Sequence, residues 1–151
     1  MLDRLRDFFA ADPNPGSADP EAALHLAAAV LLVEVAKVDH SLEALELARM
    51  CEVLQRNWAL DQTDLDDLLA VARDTSDIEA SLHRHTDQIN QAFSVPQKID
   101  LLRGFWEVAL ADGELHPHEE LLIRRLADLI YVPHKDFIRA KHLAQRSQAG
   151  R

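Results

Sequence analysis

Apolar residues recur along this chain at intervals of three and four, a spacing that predicts a succession of α-helices. Between Pro20 and about Val38, the residues Leu24, Leu26, Ala27, Val30, Leu31, Val33 and Val35 nearly encircle a helix. A helix apolar on all sides belongs at the centre of a bundle. Asp19-Pro20-Glu21 supplies its start: a capping residue, a proline at the first helical position and an acid in the first turn. Further helices are expected from about Leu42 to Trp58 and from Asp61 to Arg73. Ser76-Asp77-Ile78-Glu79 has the form of a capping box and opens a helix to about Asn90; Ser94-Val95-Pro96-Gln97 repeats the device and opens one to Leu110. Two more are expected, from Pro117 to Ile130 and from Pro133 to about Gln145. Ahead of them all, Leu2, Leu5, Phe8 and Phe9 share one face of a short amphipathic helix, Met1 to Ala11, which Asp12-Pro13-Asn14-Pro15-Gly16-Ser17 cannot continue.

The chain also resembles itself. Setting Glu34–Glu46 against Glu107–Glu119, an offset of 73, gives six identities in thirteen positions: Glu34/Glu107, Val35/Val108, Ala36/Ala109, Asp39/Asp112, Leu42/Leu115 and Glu46/Glu119. After a slip of one residue, Leu60–Leu65 runs parallel to Val132–Phe137. Duplication of a three-helix unit accounts for both stretches. The expected fold is therefore all-α, a bundle of seven to eight helices built from two pseudo-symmetric three-helix repeats, about 20–75 and 94–146. Residues 1–18 form an N-terminal helix and linker, and 19–151 form the helical domain.

Composition narrows the setting. A formal charge of −10 disfavours nucleic acid and anionic lipid as partners and favours cations or a basic protein. The longest apolar run, Leu26 to Val33, is far below the roughly 20 residues of a membrane span, so no direct membrane insertion is expected. The single cysteine, Cys51, cannot form an internal disulfide, is expected to act as a small core hydrophobe and suits a reducing cytoplasm.

Candidate chemistry concentrates where the repeats agree. Asp39 with Glu46, and Asp112 with Glu119, straddle equivalent helix–helix turns, with Glu34 and Glu107 five residues ahead as accessory carboxylates or solvated side chains. Such carboxylates suit hard divalent cations such as magnesium, calcium or manganese. The competing reading is structural: Asp39 and Asp112 accept free amides of the following helix, while Glu46 and Glu119 face its positive end. Asp112-Gly113-Glu114-Leu115 through Glu119 copies the second half of an EF-hand loop, but Val108 and Leu110 stand where its first oxygen ligands belong, which excludes that assignment. His83/His85 and His116/His118 are two apart, off a common helical face, so surface histidines are expected rather than a zinc site. Trp58, Trp106, Phe105 and Phe137 are expected in the core. Ser41, Ser76 and Ser94 fall at capping positions, and nucleophilic catalysis finds no support.

Ala111-Asp112-Gly113-Glu114-Leu115 followed by Glu119 resembles the signature of the tellurite-resistance TerB-like family, and Val38-Asp39-His40 with Glu46 resembles a weaker copy. The resemblance covers roughly residues 20–145. It implies an all-helical bundle whose acidic residues bind divalent cations or contribute to partner surfaces, and a link to tellurite resistance or envelope stress. The function expected is a non-enzymatic interaction module with a protein partner and no firmly implied cofactor. The alternative is a metal-dependent hydrolase using Asp39, Glu46, Asp112 and Glu119, since carboxylate-held metals activate water.

Overall fold

The structure, a computed structural model, describes residues 20–38, 42–75 and 78–149. Seven helices make up the described part, with no strand among those residues: α1 (Pro20–Lys37), α2 (Ala44–Asn57), α3 (Gln62–Thr75), α4 (Ile78–Ala92), α5 (Val95–Ala109), α6 (Pro117–Leu129) and α7 (His134–Ala149). The all-α expectation is met, and each helix starts and ends within a few residues of its expected place. The helix and linker expected over residues 1–18, the Asp19 cap and the Ser76 box lie outside the described residues.

Local chemistry explains the boundaries. At the start of α5, Ser94 N–H donates to Gln97 Oε1 at 2.8 Å and Gln97 N–H donates to Ser94 Oγ at 3.4 Å, a reciprocal capping box. Asp61 caps α3 by accepting the Asp64 N–H at 2.8 Å. The end of α6 closes with two characteristic bonds, Val132 N–H to the Ala127 carbonyl at 2.9 Å and Tyr131 N–H to the Asp128 carbonyl at 3.1 Å. That turn puts Tyr131 at φ 59°, where glycine is the usual occupant.

Every residue from His25 to Ala36 on α1 is buried, and α1 touches α2, α3, α4, α5 and α6. This is the central helix that the encircling apolar pattern called for. Helix α5 is the second hub, packing on α1, α2, α6 and most extensively on α7; Phe105 and Trp106 are fully buried there. Phe137 is buried as expected, whereas Trp58 is only half-buried.

The two stretches that the sequence aligns can be compared locally. Ala44 and Pro117, which open α2 and α6, are 73 residues apart; Gln62 and His134, which open α3 and α7, are 72 apart. Leu47 N–H to the Glu43 carbonyl (3.0 Å) matches Glu120 N–H to the His116 carbonyl (3.1 Å). Leu65 N–H to the Asp61 carbonyl likewise matches Phe137 N–H to the Pro133 carbonyl, both 3.0 Å. In each half the first helix packs more extensively on the third than on the second.

The halves meet tightly where α2 crosses α5. A Cβ built on Gly104 would stand 2.6 Å from Val53 Cγ1, and Val53 is itself buried and stiff about χ1. Overpacking of this kind costs about 1–3 kcal/mol, against a helix-propensity gain of about 1 kcal/mol for Gly→Ala. Gly104→Ala is therefore expected to lower stability. Adding Val53→Ala should cost at least about 1 kcal/mol less in that background than in the wild type, because it vacates the contested space. Purely additive denaturation midpoints would show that the crossing has slack.

Candidate functional site

The turn from α5 to α6 holds the fuller acidic motif. Gly113 has φ 88°, the left-handed conformation expected of the motif's glycine, and its N–H donates to the Leu110 carbonyl at 2.9 Å. Asp112 Oδ1 accepts the Glu114 N–H at 3.0 Å, and Asp112 Oδ2 lies 3.5 Å from His116 Nε2. Asp112 thus folds the loop ahead of α6. It was expected to take an amide of the helix itself; the two-residue separation from Glu114 instead closes a local turn before the helix begins.

Glu119 occupies the third position of α6 and is fully buried. Its Oε1 accepts the His116 N–H at 3.3 Å. In the first repeat Glu46, also buried, sits at the third position of α2, and its Oε1 accepts the Glu43 N–H at 3.1 Å. Both glutamates therefore close their helix starts in the same way, by a specific bond to the residue before the helix where the sequence suggested only a place at its positive end. Asp112 and Glu119 converge on one residue, His116, the first through its ring and the second through its backbone. Asp39 and His40 lie outside the described residues.

The accessory carboxylates are not solvated. Glu34 on α1 and Glu107 on α5 are both buried. Glu107 accepts from Arg56 Nη1 at 3.0 and 3.1 Å, its Oε1 forms an ion pair with Arg103 at 2.8 Å from Nε, and Arg56 Nε also lies 3.4 Å from Asp100 Oδ1. Two guanidinium groups neutralise this carboxylate and join α2 to α5, so Glu107 is held away from the acidic turn's chemistry. Arg103 sits four residues before Glu107, a helical neighbour readable in the sequence. Arg56 comes from another helix, and no spacing announces it.

Among the described residues no three His, Cys, Asp or Glu side chains are grouped so as to hold a metal ion. A cleft of about 530 Å³ is lined by Lys37, Leu42, Ala70, Arg73 and Asp74, and among the described residues Glu34, Glu46, Glu107, Asp112 and Glu119 are not part of that lining. His85, expected at the surface, is buried, and so is His25. They occupy core-facing positions of α1 and α4, which the spacing between histidines does not reveal. Burial lowers the His85 pKa, opposed by the hydrogen bond with Gln88 Oε1 at 3.1 Å, with the Arg84 charge adding to the lowering. Cys51 is half-buried rather than core, and burial followed by the Asp66 charge raises its pKa. Such a thiol is a poor nucleophile.

A family model described as "Tellurite resistance protein TerB" matches residues 25–142. Comparison with curated proteins and with solved structures gives no match. The matched span runs from the buried stretch of α1 into α7 and takes in the α5–α6 turn.

Gly113→Val is expected to lower stability by about 1 kcal/mol or more from backbone strain alone, since nothing lies within 4 Å of a Cβ at this position. An unchanged denaturation midpoint would refute the strain. His85 binds its proton more weakly in the folded chain than at its ordinary pKa of about 6.5, so the unfolded state binds more protons as pH falls through that value. Its contribution is complete above that pH and declines below it. Stability profiles of the wild type and His85→Gln should therefore diverge between about pH 7 and 5, the wild type falling more steeply.

Proposed function

The chain belongs to the tellurite resistance protein TerB family, and from that membership we propose that it works as a non-enzymatic interaction module. Its working surface, in this reading, is the acidic turn between α5 and α6, sensitive to divalent cations and offered to a protein partner with basic character. The carrying observation is the way this turn is built. Asp112 is exposed yet fixed by the Glu114 amide and the His116 ring, Gly113 supplies the bend, Glu114 is exposed beside it, and buried Glu119 holds the residue that both sides share. A preorganised carboxylate surface loses little freedom on meeting a cation or an arginine side chain. A link to tellurite resistance or a related stress response rests on the family membership.

The arrangement favours this reading over a metal-dependent hydrolase. Glu46 and Glu119, two of the four carboxylates that such a reaction would use, are buried and hydrogen-bonded to their own helix starts. A metal-bound water needs ligands with oxygens directed into an open site.

A cation held at Asp112 would bind the folded state and raise the melting temperature. At ten times its dissociation constant the gain is about 1.4 kcal/mol, or roughly 3–6 °C for a chain of this size. Calcium, magnesium or manganese at millimolar concentration is expected to produce such a rise, and Asp112→Asn to remove it. A flat response in the wild type would eliminate the cation and leave the acidic turn as a surface for basic protein groups alone.

A further inference from the structure

The end of the bundle at which α1 begins carries apolar surface that the described residues leave uncovered. His25, in the second turn of α1, lies 4.3 Å ring to ring from Trp58, and Trp58 lies 6.0 Å from Phe93 in the α4–α5 turn. Two residues further on, Val95 is 60% exposed. Lys98, one turn later, sits 5.8 Å over the ring of Tyr131, which is 78% exposed. Asn90 Nδ2 donates to the Leu129 carbonyl at 2.9 Å and fixes the end of α4 to the end of α6. Half-buried Trp58 and Phe93 and exposed Val95 and Tyr131 therefore belong to one end of the molecule. Tyr131 holds its ring in solvent from a left-handed backbone conformation that disfavours any residue but glycine or asparagine, and the described contacts offer little burial in return.

We infer that this end is a docking surface for residues 2–9 of the same chain. Leu2, Leu5, Phe8 and Phe9 recur at helical spacing and need an apolar surface to cover them. The tether leads to the right place, because residues 12–19 join the segment directly to the start of α1. Eight residues reach up to about 26–29 Å, and neighbouring helix axes are about 8–10 Å apart, so the whole of this end is within range. A short tether also holds the segment at millimolar effective concentration, an advantage that a second copy or another protein lacks.

Paramagnetic broadening in the full chain tests this. With Cys51→Ser and a nitroxide attached at Arg6→Cys, the amides of Val95, Lys98 and Tyr131 should lose most of their intensity, while amides of the α5–α6 turn keep theirs. The loss should vanish when isotope-labelled chains without nitroxide are mixed with unlabelled chains that carry it. It should also vanish in Phe8→Ser/Phe9→Ser, with the spectrum of the bundle otherwise retained. Full intensity at Val95 and Tyr131 in the labelled chain would overturn the proposal, as would broadening that survives the two serine substitutions. Broadening in the mixed sample would overturn it in favour of contact between copies.

Discussion

From His25 to Ala36, helix α1 has no face in water. A helix of that kind can exist only if other elements enclose it, and five of the remaining six described helices do so. Each large aliphatic side chain buried there contributes about 1.5–3 kcal/mol of transfer free energy, which puts much of the fold's stability on one stretch of sequence. The arrangement of the rest follows. Helices α3 and α4 cover α1 most extensively, and α5 packs against it as a second hub that carries α7. Ala27, Ala28 and Ala29 on α1 are all fully buried.

Charge is placed inside this apolar scheme only where geometry neutralises it. Glu107 is buried between two arginines, and one of them, Arg56, reaches it from α2. Arg49 on α2 and Arg103 on α5 then bond to Gln148 and Ser147 near the end of α7. The partly exposed arginines are screened by water, so each pair adds little stability by itself. Their effect is on geometry: a carboxylate buried without them would be costly, and together they tie both halves to the last helix. Glu46 and Glu119 are also buried, but the backbone amides of Glu43 and His116 receive them.

Much of the fold was legible because helix periodicity and capping residues act over short sequence distances. The encircling apolar face of α1 and the box at Ser94 and Gln97 could each be read from neighbouring residues. What escaped depends on contacts between distant segments. The burial of His25 and His85 is decided by the surfaces packed against α1 and α4, and the pairing of Glu107 by an arginine 51 residues away. In the candidate site, the identity of the acidic turn was legible, and so was the place of its glutamates at the positive end of the following helix. The actual partners were not: Asp112 turns to the loop amide of Glu114, and His116 joins the two carboxylates, because the side-chain directions in a short turn are settled by its backbone dihedrals rather than by residue type.

The acids divide their labour: buried Glu46 and Glu119 hold helix starts, and exposed Asp112 and Glu114 face outward. Equilibrium unfolding of Glu46→Met and Glu119→Met in metal-free buffer tests that division most directly. Each substitution keeps the side chain's length and removes the acceptor of a helix-start amide. The expected result is a loss of about 1 kcal/mol or more in both variants, of similar size because the two positions are built alike. A gain in stability in either would contradict the account, since it would mean that the carboxylate strains the metal-free fold and is retained for a ligand.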